Sequence, residues 1–230
     1  YEDDFELDLG WSVSGDATDG QWDRGIPVGG GDRCDPATDG DGSGSCYLTD
    51  NTDDNSDVDG GTTILTSPSM DASSSPTLNY LRWYSNGSDC NGGNPMNDIM
   101  EVEFSIDDGL TWMNLETVGP DGSEVSGGWF NKEFDLAAVT GFVPTNQFQI
   151  RFLVSDLNSG SVIEAGIDGL LLSGGYCDTD ACPSDLTGDG IVNVSDLLSL
   201  IAAWGPCSGC DEDIDNNGNV DVTDLLIVVA

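Results

Sequence analysis

Acidic side chains outnumber basic ones by 43 to five in this chain of 230 residues, and the formal net charge is −38. Nine of the acids are Glu and the other 34 are Asp, and the chain also has 31 glycines. A charge this large destabilises a compact fold by self-repulsion unless cations neutralise part of it. Asp, Asn and Gly are also typical of tight turns and of oxygen-ligated calcium loops. The composition therefore predicts a fold that depends on bound cations.

The same composition excludes several classes of function. Nucleic acids and anionic membranes require a basic surface, which five basic residues do not supply. The chain has no histidine, so histidine-ligated zinc and histidine-dependent catalysis are excluded. No apolar run approaches the roughly 18 residues of a membrane span. We expect a protein that neither binds nucleic acid nor inserts into a membrane.

Catalysis by another route is also poorly supported by the sequence. The chain has a single lysine, which leaves a Ser or Cys nucleophile with few possible bases. Glu101 and Glu103 would lie on one strand face and could mimic the carboxylate pair of a glycosidase. Neighbouring acids on a strand are more often its solvated side, so the sequence favours a protein that is not an enzyme.

Adaptation to high salt is the alternative explanation of the acidity. It predicts acids scattered over the surface, whereas here they are gathered at fixed spacings. The chain opens Tyr-Glu-Asp-Asp, with neither an initiator Met nor a leader, which favours a processed, extracellular protein, either secreted or on the cell surface.

Apolar and polar residues alternate in short segments over residues 5–173. In residues 98–106, for example, Met100, Val102 and Phe104 face one way and the two glutamates face the other. A period of two with one polar face indicates half-buried antiparallel strands. Further strands are predicted at residues 5–11, 62–67, 77–85, 111–118, 129–136, 147–154 and 161–174. We therefore predict a mainly β fold, an antiparallel jelly-roll β-sandwich over residues 1–175.

Beyond the sandwich, a linker at residues 176–183 leads to a small α-helical domain at residues 184–230, in which two acidic segments repeat. Residues 185–202 and 213–230 align at an offset of 28 residues, and each fits a twelve-residue calcium loop with a glycine at position six. Asx turns that cap two helices are the alternative. The repetition in register favours calcium. Positions 1, 3, 5, 9 and 12 would bind through side-chain oxygens and position 7 through its backbone carbonyl. The predicted ligands at positions 1, 3, 5, 7, 9 and 12 are Asp185, Thr187, Asp189, Ile191, Asn193 and Asp196 in the first loop and Asp213, Asp215, Asn217, Asn219, Asp221 and Asp224 in the second.

Each loop leads into one helix and has no helix before it. This arrangement resembles the type I dockerin, a duplicated loop–helix module of the EF-hand type, over residues 183–230. The Asp at position 12 also matches that family. The resemblance implies that calcium is needed for folding and that the module docks onto a cohesin domain. The second loop has four carboxylates and the first has three, so tighter binding is expected at the second. The second helix ends at Ala230, the equivalent of Ala202, so it is expected to be incomplete.

Seven cysteines are an odd number for an extracellular protein. In an antiparallel loop–helix pair the end of the first helix lies near the start of the second loop, which favours a Cys207–Cys210 disulfide. By pseudo-symmetry Cys182 would pair with an eighth cysteine past Ala230. Half of a zinc knuckle and a redox pair are alternatives for the CxxC spacing. The other expected pairs are Cys34–Cys46 and Cys90–Cys177.

Residues 10–29, 54–68, 81–86, 107–120 and 126–130 resemble MAM-like or carbohydrate-binding-like jelly-roll modules of secreted bacterial proteins. Such modules often hold a structural calcium at a strand end, for which Asp57, Asp59 and Asp168 are candidates. Solvated turn acids are the alternative explanation. A loop-like stretch at residues 39–50 supplies further candidates, namely Asp39, Asp41, Ser43 and Asp50. Asn86 begins an N-glycosylation sequon.

Aromatic residues leave a glycan-binding function open, because flat rings stack on sugars. Alternation places several of these rings inward, where core packing is their expected role. They are Trp11, Trp22, Trp83, Tyr84, Trp112 and Trp129.

Three functions remain. The first, which we favour, is a calcium-binding structural or adhesive protein that docks onto a cohesin-like partner or onto neighbouring copies of itself, as in a fibre or coat. The others are a carbohydrate-binding module anchored through the dockerin-like part and a non-catalytic part of a larger secreted enzyme.

Overall fold

The computed structural model describes residues 1–31, 33–52, 57–73, 77–86, 97–157, 160–173, 183–188, 192, 194–207 and 209–228. The chain forms two compact units. The first comprises Tyr1–Ser73 and Thr77–Leu172, and the second takes in the chain from Ser173 onwards. The predicted linker lies outside the described residues except for Pro183.

The first unit is a sandwich of two antiparallel β-sheets. One sheet has the order β3-β4-β11-β6-β9, with β1 paired to β11, and the other has the order β2-β5-β10-β7-β8. The chain crosses between the sheets several times, for example from β5 to β6 and from β10 to β11. The strands are β1 Glu2–Asp3, β2 Ser12–Gly15, β3 Trp22–Gly25, β4 Cys46–Thr49, β5 Gly61–Thr66, β6 Thr77–Ser85, β7 Met100–Ser105, β8 Met113–Val118, β9 Phe130–Asp135, β10 Gln149–Asp156 and β11 Glu164–Ser173.

Alternation along the strands builds the core between the sheets. In β10 the side chains of Ile150, Phe152 and Val154 are buried, whereas those between them are partly exposed. The Phe152 ring packs edge-on against Tyr80 of β6, with ring centroids 5.2 Å apart, and stacks on Trp11 at 6.3 Å. The two sheets therefore meet through aromatic contacts around the central strand of the second sheet.

The strand expected at residues 5–11 is not formed. Phe5 and Trp11 are buried, but Leu7 and Leu9 are exposed. The buried carboxylate of Asp3 explains this, because it accepts a hydrogen bond from the Phe5 N–H at 2.9 Å and another from the Trp11 Nε1–H at 2.8 Å. The segment between them loops out instead of extending.

The second unit contains two short helices, α1 Val194–Ala202 and α2 Val222–Val228. Two short strands, β12 Gly205–Pro206 and β13 Asn219–Val220, pair with each other. Among the described residues, no helix combines the length and the apolar character that a membrane span requires.

The five basic side chains all have acceptors in the sandwich. Arg82 is fully buried and bonds to Glu116 and Glu124. The other contacts are Lys132 with Glu116 and Glu124, Arg33 with Asp57, Arg151 with Glu103, and Arg24 with the backbone carbonyls of Phe5 and Glu6.

Replacing the central core ring should destabilise the sandwich strongly. Phe152→Ala removes a buried aromatic side chain and leaves a cavity, so we expect the free energy of unfolding to fall by about 3–5 kcal/mol. Leu110→Ala is the control, because Leu110 is 84% exposed and its loss should change stability by less than about 0.5 kcal/mol. Denaturant titration checks both variants, and equal losses would contradict the assignment of the core.

Candidate cation sites

The second acidic loop of the C-terminal unit curls around its own carboxylates. Oxygens of Asp213, Asp215 and Asp224 lie within 4.8 Å of one another. Asp213 accepts backbone N–H bonds from Asn217 at 2.9 Å and from Gly218 at 2.8 Å. Three carboxylates that converge in this way offer the hard oxygen ligands that calcium prefers.

Two of the predicted ligands lie at the N-terminus of α2, the helix that follows this loop. Asp221 precedes α2 and accepts the Thr223 N–H at 2.8 Å, and Asp224 accepts the Asp221 N–H at 2.9 Å. Together these two bonds cap the N-terminus of α2. These backbone donors, first Asp221 and then Asp215, hold the pKa of Asp224 below its ordinary value. Asx-turn and capping hydrogen bonds were the alternative explanation of this sequence pattern. In the structure they occur together with the converging carboxylates.

The first loop repeats the same geometry. The backbone N–H of Thr187, at position 3, donates to Asp196 Oδ1 at 2.9 Å, and the equivalent Asp215 N–H donates to Asp224 Oδ1 at 3.2 Å. Both position-12 carboxylates are fully buried. Asp185 accepts the Gly188 N–H at 2.8 Å. Asp189, Ile191 and Asn193, which were also predicted as ligands, lie outside the described residues.

The remaining predicted ligands of the second loop lie on its rim. Asn217 donates to Asp215 through its side chain at 2.9 Å, and its Oδ1 accepts the Asn219 N–H at 3.0 Å. Asn219 is also the first residue of β13, which pairs with β12. Cys207, directly after β12, donates its N–H to the Gly218 carbonyl at 3.0 Å and forms a disulfide with Cys210. The disulfide-closed turn therefore packs against the second loop.

Each helix of this unit presents an exposed apolar face. Val194 and Leu198 on α1 are exposed, and so are their equivalents Val222 and Leu226 on α2, at the same offset of 28 residues. Leu198 is 60% and Leu226 is 59% exposed. Ile201, one turn beyond Leu198, extends the face of α1.

A separate acidic cluster lies in the sandwich. Oxygens of Asp39, Asp41 and Asp168 lie within 4.8 Å of one another. Asp168 lies on β11, is fully buried, and accepts backbone N–H bonds from Gly40 at 2.7 Å and Asp41 at 3.0 Å. Burial raises the pKa of Asp168 to about 6, although these N–H donors act against the rise. This cluster is therefore a third candidate cation site, after the two C-terminal loops.

Among the described residues, the three candidates Asp57, Asp59 and Asp168 do not form one cluster. Asp168 groups with Asp39 and Asp41, not with Asp57 and Asp59. Asp57 instead forms an ion pair with Arg33, and its pKa is raised to about 6 because burial outweighs that charge. Asp59 pairs through its backbone with Asp19.

The stretch at residues 39–50 does not form a twelve-residue calcium loop either. After Ser45 the chain extends as β4, which carries Asp50 about 13 Å beyond the start of that strand. Asp50 accepts the Thr52 hydroxyl at 2.6 Å. Ser43 donates its hydroxyl to the Asp4 carbonyl at 3.2 Å.

Gly40 and strand β11 bring the acidic cluster of the sandwich together. A Cβ on Gly40 would lie 2.9 Å from the Trp129 ring, so only glycine lets the Asp39–Asp41 turn approach the sheet. Sequence reasoning missed the pairing with Asp168. The sequence signal that could have indicated it is Gly169, a glycine directly after Asp168 that interrupts an apolar strand. In the structure Gly169 has a φ of +51°.

Two further expectations need correction. Cys46 does not pair with Cys34: it is a free, buried thiol on β4, whereas Cys34 is disulfide-bonded. Cys90, Cys177 and Cys182 lie outside the described residues. Asn86 is fully buried, and its Nδ2, which would carry a glycan, donates to the Pro120 carbonyl. A glycan has no room there.

A cleft of about 450 Å³ opens on the outer face of the first sheet. The amides of Asn79 and Asn131 line it together with Leu81 and Asp41, and Asp41 also belongs to the acidic cluster. Among the aromatic candidates, Trp11, Trp22 and Tyr84 are buried, whereas Trp83, Trp112 and Trp129 are partly exposed. Trp129 donates its Nε1–H to the Thr38 carbonyl at 2.9 Å, just before the cluster.

No protein family model and no curated protein sequence matches this chain. Among solved structures, the K1 cleaved adhesin domain of Lys-gingipain from Porphyromonas gingivalis is similar at 14% identity and a TM-score of 0.47, over 74% of this chain and 95% of that chain. The carbohydrate-binding module TmCBM61, solved with β-1,4-galactotriose, has 14% identity and a TM-score of 0.40, over 72% and 90%. The family 11 carbohydrate-binding module from Clostridium thermocellum has 14% identity and a TM-score of 0.39, over 74% and 93%. Values of this size assign neither a family nor a ligand.

If the second loop holds calcium, Asp224→Asn should remove one bound ion. The substitution keeps the shape of the side chain but removes a carboxylate. That carboxylate accepts the N–H groups of Asp215 and Asp221 and lies beside the carboxylate of Asp213. Calorimetric titration should then count one calcium fewer per chain than in the wild type. Asp211→Asn, a change at an exposed acid just before the loop, should leave the count unchanged. An unchanged count in both variants would refute the site.

Proposed function

We propose that this chain is an extracellular, non-catalytic binding protein whose C-terminal unit binds two calcium ions and docks onto a partner protein. The observation that carries the proposal is the repeated bond from the position-3 N–H to the position-12 carboxylate in both loops. Because loop and helix repeat together, each calcium would fix the start of one helix. Such a calcium-fixed pair of loops and helices would make the unit a dockerin-like module.

The docking surface would be the pair of exposed helix faces. Leu198 and Leu226 occupy equivalent positions one turn after each helix begins. Exposed apolar groups that repeat by internal symmetry are unusual on a surface with so much charge, and apolar patches rimmed by polar residues mark interaction sites. A cohesin-like domain or a neighbouring copy of this chain would cover them.

Light scattering tests the docking directly. In millimolar calcium the wild type should have a molar mass above the 24.1 kDa of one chain, and a chelator should return it to that value. Leu198→Asp combined with Leu226→Asp should remain monomeric in calcium, because a carboxylate cannot be buried without a partner. Leu110→Asp, at an exposed position of the sandwich, should assemble as the wild type does.

A wild type that is monomeric in both conditions would exclude self-assembly in solution. A type I cohesin domain is then titrated into the same solutions. Binding in calcium that is lost in chelator and in the double variant would support docking onto that partner. Absence of calcium-dependent binding to either partner would contradict the proposed function.

Glycan binding by the sandwich is the second candidate, and the outer cleft supports it. Side-chain amides of Asn79 and Asn131 can donate to and accept from hydroxyl groups, and Leu81 gives the cleft an apolar surface. The acids around the cleft favour a neutral ligand over an anionic one.

Asn79→Ala is the test of this candidate. It should reduce retention on a neutral-glycan array, whereas Asn114→Ala, at an exposed amide of β8, should not. No retention of the wild type on any neutral glycan would exclude this function. It would leave the calcium-dependent docking unaffected.

A further inference from the structure

Three buried oxygen atoms at one end of the sandwich have no hydrogen-bond partner. They are Oη of Tyr84 near the end of β6, Oδ1 of Asn86 just after β6, and Oδ1 of Asp156 at the end of β10. Tyr84 and Asn86 are fully buried, and Asp156 is 3% exposed. Leaving buried polar atoms unpaired costs free energy, so three of them in one region require an explanation.

Asp98, which precedes β7, connects these residues. Its backbone carbonyl lies 3.5 Å from Asn86 Nδ2, and its carboxylate accepts the N–H of Leu157, the residue after Asp156, at 3.0 Å. Val154 of β10 lies opposite Met100 of the antiparallel strand β7, so Asp156, two residues after Val154, and Asp98, two residues before Met100, come side by side. A Cβ on Gly119 would lie 3.0 Å from the Asp98 carbonyl oxygen, 3.5 Å from the Tyr84 ring and 3.7 Å from Asn86 Nδ2, so these three groups surround one point. Burial and then the charges of Asp98 and Asp156 raise the pKa of Tyr84.

The charge in this region is not balanced by the basic residues of the chain. None of the hydrogen bonds or ion pairs described above for the five basic side chains goes to Asp156. Burial, and then the charge of Asp98, raise the pKa of Asp156. Neighbouring carboxylates on paired strands repel each other.

A ligand at this place has to satisfy the oxygens and balance the charge. A water molecule would satisfy some of the oxygens but would leave the charge. A proton on Asp156 would remove its charge and could donate to one neighbouring oxygen, but it would leave another unpaired. A hard divalent cation neutralises the carboxylates and takes carboxylate and amide oxygens as ligands.

We propose that Asp156, Asn86 and Tyr84, with Asp98 beside them, form a calcium site inside the sandwich. It shares no residue with the two C-terminal loops or with the Asp39, Asp41 and Asp168 cluster. The site would join the ends of β6 and β10 to the start of β7. It does not depend on the proposed docking function.

Asp156→Asn in the full chain tests this site, with calcium chloride as the only added ligand. Calorimetric titration should count one calcium fewer per chain than in the wild type. In chelator the variant should melt at a higher temperature than the wild type, because the repulsion from Asp98 is gone. In calcium the order should reverse, because only the wild type gains the ion at this site.

Glu133→Gln is the matched control, because it removes one exposed charge on β9 and should change neither the count nor the order of melting temperatures. An Asp156→Asn variant that binds as many calcium ions as the wild type would overturn the proposal. The same melting-temperature difference from the wild type in calcium and in chelator would also overturn it. Either result would leave a water or a proton as the occupant.

Tyr84→Phe keeps the inference testable if Asp156→Asn does not fold. It retains the buried ring and removes only the unpaired oxygen. We expect calcium affinity at one site to fall several-fold while the stability in chelator does not fall. Unchanged affinity at every site would overturn the proposal. Asp224→Asn tests calcium binding in the C-terminal unit separately. A wrong assignment of the sandwich site is therefore distinguishable from a wrong assignment of the C-terminal sites.

Discussion

The shortage of positive charge is the constraint on which the rest of this structure depends. The chain has five basic side chains against 43 acids, and all five basic side chains have acceptors in the sandwich. Buried carboxylates therefore rely on backbone N–H groups, as Asp168 does with Gly40 and Asp41 and as Asp224 does with Asp221 and Asp215. Amide dipoles stabilise a carboxylate but do not neutralise it, so converging acids remain suited to cations.

The two units meet this constraint in different ways. In the C-terminal unit the acids that gather in each loop also start the following helix, so cation binding and helix formation would be one event. In the sandwich the apolar core around Phe152 and Tyr80 is built from ring contacts between the two sheets. Asp39 and Asp41 lie in a turn and Asp156 at a strand end, so a cation would fasten these segments to that core.

The sequence alone predicted the parts of this structure that rest on local patterns. The strand expected at residues 77–85 is β6 residue for residue, and the duplicated loops were visible as an in-register repeat. The parts that failed depend on distant contacts. Residues 5–11 alternate like a strand, but the buried Asp3 carboxylate bends them into a loop. The partner of Asp39 and Asp41 could not be chosen among many acids, because Asp168 lies 127 residues beyond Asp41. Asn86 matched a sequon, yet it is buried and its Nδ2 donates to the carbonyl of Pro120, 34 residues away.

Thermal unfolding in calcium and in sodium chloride of equal ionic strength tests the central claim most directly. If particular carboxylate groups bind cations, calcium should raise the melting temperature to a plateau, a chelator should reverse the rise, and sodium chloride should not reproduce it. If the acids are only a salt-adapted surface, both salts should act alike and without saturation. Equal stabilisation by the two salts would contradict the account.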